Sequence, residues 1–414
     1  MKAVVLAAGK GERLWPLTET RPKPLLPVAN TPILEGTLSG LVEAGVRDIV
    51  LVVSYKEDMI RESLGDGSRL GCHVEYVKQK SPRGTADAVR SAKDKLVGED
   101  GFLVVYGDDY YATDVFMQFV ARAKKNNSIT LATCKVDDPS PFGTIEVKNG
   151  RVMEIREKMA RSGPGLVNAG IYSMNGTIFA SVKKTARSER GEFELTDSLR
   201  ILTRQGEVVR SEELGESAWL GISYPWDLLE ANERVLRSQE NRLAGQIEDG
   251  VVIRGNVVLD EGSVLKAGSR LEGPVRAGKG CQIGPNAYLR AYTCLGEDVK
   301  VGAACEIKNS IVMAGSKIPH LSYVGDSVIG VDCSLGAGTI TANLRFDEAI
   351  VRSRVKGMSV SSRKKKLGAI LGDEVRTGIN VSIFPGVKVG SGAWLGPGAV
   401  VERDVASDGR IRAA

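Results

Sequence analysis

Histidine is nearly absent. The 414 residues hold two, His73 and His320. Six cysteines, at 72, 134, 281, 294, 305 and 333, form no C-x-x-C pair and sit beside no histidine cluster. Those two lacks argue against a zinc site, and the cysteines read as reduced, buried thiols of a cytoplasmic protein. No apolar run reaches the ~18 residues that would cross a bilayer. The start has one lysine, a strand-length apolar run and then charges at once, unlike a signal peptide. A strong charge of one sign is missing as well. The net charge is +5, with both signs mixed along the chain, which does not suggest nucleic acid and suits small anionic substrates. The composition, 42% hydrophobic and 26% charged, is globular, with length enough for two or three domains.

What is present begins at residue 6 with LAAGKGERLWPLTETRPKPLLP. The apolar run Ala3–Leu6 is long enough for a buried strand. Gly9 and Gly11 let the backbone bend so that its N–H groups face an anion, and Arg13 and Lys23 add two cations. Prolines 16, 22, 24 and 27 stiffen the segment. No G-K-[ST] closes the loop, so it is not a Walker loop. The pattern G-x-G-x-R-x-x-P-L-T-x-x-R-P-K-P-L resembles the signature of sugar-1-phosphate nucleotidylyltransferases. The resemblance implies a nucleotide held along Leu6, Ala7, Ala8 and Gly9, with Arg13 and Lys23 as catalytic cations.

Strand candidates Ala3–Leu6, Ile49–Val53, Phe102–Tyr106 and Thr130–Cys134 alternate with helical stretches such as Leu34–Glu43 and Ala86–Lys95. This argues for an open, mostly parallel α/β sheet of Rossmann type, with ligands beyond the carboxyl ends of the strands. Further resemblances follow in order. Gln79, Gly84 and Thr85 fall on the family's base-reading positions, and Asp108 on its Mg²⁺ ligand. Gly143, Glu157, Lys158 and Asn168 fall on its sugar-phosphate contacts. Glu194-Leu195-Thr196-Asp197 is family-like without a clear role. Asp109 points away from Asp108 if the strand continues. One departure stands out. Where related chains carry W-x-D-[IV]-G-x-P-W-D, this chain has Gly221 in place of the metal-binding aspartate, so that Asp227, Asp109 or water must fill in or the first half is impaired. Residues 225–244 read as an amphipathic helix.

From about residue 247 the period becomes six. Positions 253, 259, 265, 271, 277, 283, 289, 295, 301 and 307 are all apolar, and the step returns at 371, 377, 383, 389, 395 and 401. Such hexads describe a left-handed parallel β-helix of some eight coils. The expected division is 1–226, a linker helix 227–246, and a β-helix 247–414. The register breaks at 308–328 and 341–370, read as insertions that carry a site. Ile318-Pro319-His320-Leu321-Ser322-Tyr323-Val324-Gly325-Asp326, with Gly336–Thr339 and Ala342-Asn343-Leu344, resembles the acetyltransferase half of the bifunctional enzymes making UDP-N-acetylglucosamine, in their archaeal branch. The resemblance implies His320 as catalytic base, Arg290, Lys308, Tyr323 and Asn343 on the substrate, Ala337 at acetyl-CoA, and a homotrimer through the β-helix. The basic run at 352–366 either meets coenzyme A phosphates or is simply solvated. The implied substrates are UTP or dTTP, a sugar-1-phosphate and acetyl-CoA. Two other readings stay open: a nucleotidylyltransferase with a purely structural β-helix, and an acetyltransferase or binding subunit with an inactive first half.

Overall fold

A computed structural model of the chain describes residues 1–126, 128–140, 142–156 and 163–412. They form two compact units. One comprises Met1–Lys10, Pro22–Leu25 and Pro32–Ile222; the other comprises Gly11–Arg21, Leu26–Thr31 and Ser223–Ala414.

The first unit is built on a nine-stranded sheet. Its central strand, Ala3–Ala7, is buried throughout and runs parallel to Asp48–Val53 on one side and Phe102–Tyr106 on the other. Both faces of this strand are covered, which is why it reads as an unbroken apolar run. Ala3, Val5 and Ala7 pack with Leu34, Leu38 and Phe116 on one side, and Val4, Leu6 and Ala8 with Val89, Leu195 and Leu199 on the other. Beyond Phe102–Tyr106 the sheet is mixed: Gly165–Met174 pairs antiparallel with both neighbours, whereas Arg210–Glu213 again runs parallel to Thr130–Val136. Among the described residues no helix is long and apolar enough to cross a membrane.

The second unit contains a parallel β-helix. Two of its sheets have eight strands each and run through the successive coils. The hexad residues Leu259, Leu265, Leu271, Ile283, Leu289, Leu295, Val301 and Ile307 line one core, continued by Leu371, Ile383, Val389, Leu395 and Val401. Short strands stacked this way bury every sixth side chain and leave the corners to small or left-handed residues.

The helix read over 225–244 covers only Asp227–Ser238. Gln239 is extended, and Arg242–Leu243 already pairs with Val258 and Leu259, so coil stacking overrides the helical pattern and leaves Leu243 exposed. The break at 308–328 is not an inserted loop. Ile307 is followed in the core by Val312, and Val324 by Ile329, five residues on instead of six. Neighbouring coils therefore pair Ile307 with Val324, seventeen residues apart, where Leu271 pairs with Leu289 at eighteen. Asn309 (φ 43°) and Asp326 (φ 48°) turn these two shortened corners. His320 consequently ends a strand, Lys317–His320, instead of riding on a loop. The second break is a true insertion, carrying an antiparallel hairpin of Arg352–Val355 and Met358–Ser361.

Asp109 does not point away from Asp108. The strand stops at Tyr106, and the turn that follows brings both carboxylates to one lysine.

Candidate functional sites

Lys23 lies on a single 3₁₀ turn, Lys23–Leu25, and is only 8% exposed. Its Nζ stands 2.9 Å from Asp108 Oδ2 and 3.5 Å from Asp109 Oδ1. The two carboxylates differ in what surrounds them. Asp109 is buried, and its oxygens accept from Trp219 Nε1 (3.2 Å) and Ile222 N (3.1 Å). Burial pushes its carboxyl up to about 6, against the pull of Lys23. It acts as a clip for the 219–222 segment. Asp108 is the more exposed partner. It is one hard oxygen donor, suited to a divalent cation that keeps water and phosphate oxygens as its other ligands. No cluster of three His, Cys, Asp or Glu gathers among the described residues, so a cage of side chains is not what this site offers.

The alternatives to Asp108 are largely spent. A β-carbon at Gly221 would lie 2.7 Å from Cε1 of Phe142, whose ring packs edge-on against Trp219. The place of the missing carboxylate is taken by an aromatic ring. Asp227 Oδ2 accepts from Ser223 N and Tyr224 N, both at 2.8 Å. Burial pushes the Asp227 carboxyl up to about 6 from 3.8. A folded-state value above the unfolded one means that the native protein holds the extra proton between about pH 4 and 6. Stability from this group is present below that window and lost as pH rises through it. Asp227→Asn keeps an acceptor and removes the charge. Its thermal midpoint should match the native protein near pH 4 and exceed it at pH 8, by the equivalent of roughly 1–3 kcal/mol; equal midpoints at pH 8 would remove the argument.

The base-reading candidates form one buried assembly. Gln79 is 2% exposed, and its Nε2 donates to Asp87 Oδ2 (3.0 Å) and to the Gly84 carbonyl (3.2 Å). Gly84 has φ 111°, and a β-carbon there would lie 2.5 Å from the Phe193 carbonyl oxygen, so only glycine fits. Thr85 Oγ1 accepts from Leu195 N at 2.9 Å, which ties the Glu194–Asp197 stretch to this turn. Asp87, held by Arg90 and Arg83, was not singled out in the sequence; it sits two residues past Thr85 in the same motif. With both amide hydrogens spent, Gln79 can offer a base only an acceptor, Oε1. Uracil and thymine carry a ring N3–H to meet it, whereas N3 of cytosine carries a lone pair and only its exocyclic amine could donate. Turnover with UTP and dTTP should exceed turnover with CTP by 10²-fold or more; comparable CTP rates would refute this orientation.

On the sugar side, Asn168 Oδ1 accepts from Gly170 N (2.9 Å) and its Nδ2 donates to Tyr172 (2.5 Å), within a bulged strand. Gly143 directly follows Phe142. Glu157 and Lys158 lie outside the described residues. Leu6 and Ala7 end the central strand, and Ala8 is buried just beyond it, with Gly9 exposed. Arg13, in the second unit, lies over the Tyr224 ring at 5.8 Å.

In the β-helix, Lys308, Tyr323 and Asn343 come together around Asp326 at a shortened corner. Asp326, 4% exposed, accepts from Lys308 Nζ (3.4 Å), Asn309 Nδ2 (2.7 Å) and Asn343 Nδ2 (2.5 Å). Asn343 also donates to Tyr323 OH (3.1 Å). Arg290 pairs with Glu306 at 2.8 Å. His320 is exposed, and its carbonyl accepts from Gly338 N (3.3 Å), next to Ala337. Asp326 was quoted in the motif without a role. The only sign of its importance was a period one residue short. Of the basic stretch, Arg352 bonds across the hairpin to Ser359 and Lys356 pairs with Glu12.

Two family matches fall on the chain. A nucleotidyl transferase family profile matches residues 2–238, and the GMPPB C-terminal domain matches residues 271–383. The chain is 43% identical over 409 residues to a bifunctional sugar-1-phosphate nucleotidylyltransferase/acetyltransferase of Sulfurisphaera tokodaii, covering 98% of each chain. It is 42% identical over 411 residues to a bifunctional protein GlmU of Methanocaldococcus jannaschii, covering 99% of this chain and 96% of that one. A glucose-1-phosphate thymidylyltransferase of Streptomyces griseus is 35% identical over 334 residues, 80% of this chain and 92% of its own. Among solved structures, a Bacillus anthracis protein assigned as a glucose-1-phosphate thymidylyltransferase superposes with a TM-score of 0.51 at 29% identity, over 56% of this chain and 94% of its own.

Proposed function

We propose, from the premise that this chain belongs to the family of bifunctional sugar-1-phosphate nucleotidylyltransferase/acetyltransferases, that it acetylates glucosamine-1-phosphate or galactosamine-1-phosphate and joins the product to a uridylyl or thymidylyl group. The observation that supports the second half acting, beside the nucleotidyl transferase match over the first, is the network around Asp326. This buried carboxylate holds Lys308 and Asn343 and, through Asn343, Tyr323, three of the residues read as binding the acetyl acceptor.

In the second half, the sugar amine attacks the thioester carbonyl. The C–N bond forms, the C–S bond breaks, and coenzyme A leaves as its thiol. A neutral His320 imidazole takes the amine proton, which ends on the leaving sulfur. The main chain at Ala337 donates to the oxygen that becomes negative. Arg290 and Lys308 hold the sugar phosphate, and Tyr323 and Asn343 orient the ring. In the first half, the sugar phosphate oxygen attacks the α-phosphorus in line and pyrophosphate leaves. Gln79, Gly84 and Thr85 seat the base, and Leu6–Gly9 present main-chain N–H groups. Gly143, Glu157, Lys158 and Asn168 seat the sugar phosphate. Arg13 and Lys23 offset the charge on the triphosphate. Mg²⁺, held by Asp108, would supply further charge neutralisation there. A homotrimer through the β-helix completes the proposal.

The test is incubation with acetyl-CoA, glucosamine-1-phosphate, UTP and Mg²⁺, with products identified by mass. UDP-N-acetylglucosamine is the expected product. His320→Ala should lower thiol release by at least 10²-fold and leave uridylyl transfer to supplied N-acetylglucosamine-1-phosphate intact. Undiminished thiol release in that variant would favour a structural β-helix.

A further inference from the structure

The signature loop Gly11–Arg21 belongs to the same compact unit as the β-helix, and its charged residues are used there. Arg21 has the second arginine position of the signature, where a phosphate contact would be the natural reading. Its guanidinium instead pairs with Asp373, 352 residues away, and NH1 reaches Met313 Sδ at 4.0 Å. Thr20 Oγ1 donates to the same Asp373 oxygen at 2.6 Å. Asp373 is itself 7% exposed and fixed from behind, since its other oxygen accepts from Val331 N at 2.8 Å.

Glu19 makes a second attachment. Its carboxylate accepts from Ser391 N (3.2 Å), from Ser407 Oγ, and from Trp15 Nε1 (2.8 Å) in its own loop. Burial works against this carboxylate, but the hydrogen bonds from Ser407, Trp15 and Ser391 outweigh it and hold the carboxyl below its usual range. A third attachment is the Trp15 ring, 5.0 Å from the Lys388 ammonium, which is buried. Three successive loop residues, Glu19, Thr20 and Arg21, thus grip three stretches of the last coils, near 373, 391 and 407. The residues they constrain are functional: Arg13 stands six before Glu19, and Lys23 two after Arg21.

We propose that the C-terminal coils of the β-helix are part of the nucleotidyl-transfer machinery, with Asp373, Ser391 and Ser407 as positioning residues for the loop that carries Arg13 and leads into Lys23. The acetyl-transfer residues lie on earlier coils, so the two activities draw on different stretches of one solenoid. Charged hydrogen bonds of this kind lose strength steeply with misplacement, and a loop carrying catalytic cations tolerates little displacement.

This inference rests on the nucleotidyl-transfer reading above. The test uses the full chain with Arg21→Met, Arg21→Lys and Asp373→Asn. Four quantities are measured: kcat and KM for UTP, thiol release from acetyl-CoA, the thermal midpoint, and the rate of tryptic cleavage after Arg13. Arg21→Met and Asp373→Asn should lower uridylyl kcat/KM at least ten-fold and speed cleavage after Arg13, with thiol release within two-fold of native. Arg21→Lys should recover much of the loss. Native uridylyl kinetics in Arg21→Met, unchanged cleavage after Arg13, or a parallel fall of both activities would overturn the proposal. A native chain that transfers no nucleotide sinks the reading of the first half and this inference together. A normal native rate with an undiminished Arg21→Met rate sinks this inference alone.

Discussion

Lys23→Met should cut nucleotidyl transfer by two to three orders of magnitude and leave thiol release from acetyl-CoA at the native rate. The side chain is nearly buried, so the position from which its ammonium would meet a phosphate is fixed in advance. The flanking prolines 22 and 24 fix the backbone on either side. The ammonium also balances two neighbouring carboxylates, at 2.9 and 3.5 Å. Removing one partner of such a buried group leaves the others uncompensated, at a cost of about 3 kcal/mol. The rate assay therefore belongs well below the variant's thermal midpoint, with acetyl transfer as the internal control. Lys23→Arg keeps the charge but not the compact ammonium, and should recover only part of the rate. A Lys23→Met chain that retains half the native uridylyl rate would show that this lysine is structural.

Asp326→Ala carries the second large effect. One small side chain accepts from three donors drawn from two other coils. Its loss leaves Lys308 without a counter-charge, frees Asn343 to swing, and removes the anchor from Tyr323. A stability loss of about 3–5 kcal/mol is expected, with acetyl-transfer kcat/KM down at least 10²-fold and the larger share in KM for the sugar phosphate. Asp326→Asn keeps the shape and should cost less stability, yet it pairs poorly with Lys308, so the rise in KM should persist. That persistence separates positioning from folding. A variant that folds less well but binds the sugar phosphate normally would reduce Asp326 to a structural corner.

The hexads were legible because every sixth residue from Leu259 to Ile307 must fill the same narrow core, and substitution there is confined to apolar side chains. The central strand of the first unit was legible for a related reason, being covered on both faces. The corners were not. An inserted loop and a removed residue break a period in the same way, and only the pairing of Ile307 with Val324 tells them apart. Asp109 was misread because the end of the strand at Tyr106 depends on the turn after it, not on the run before it. Arg21 illustrates a further limit. It stands within the signature segment with no role assigned to it, and nothing nearby in the chain announces a partner at 373. The Gly221 exchange was visible as a missing carboxylate, whereas the occupation of its place by Phe142 required the packing.

The corners at Asn309 and Asp326 have a consequence for how a guest is received. Each is one residue short, so the groups around it hang from rungs of a ladder already paired above and below. Little ordering would remain to be done for a sugar bound there. Entry and exit should then leave the protease sensitivity and solvent exchange of these rungs almost untouched, and residence time should be set by the contacts themselves.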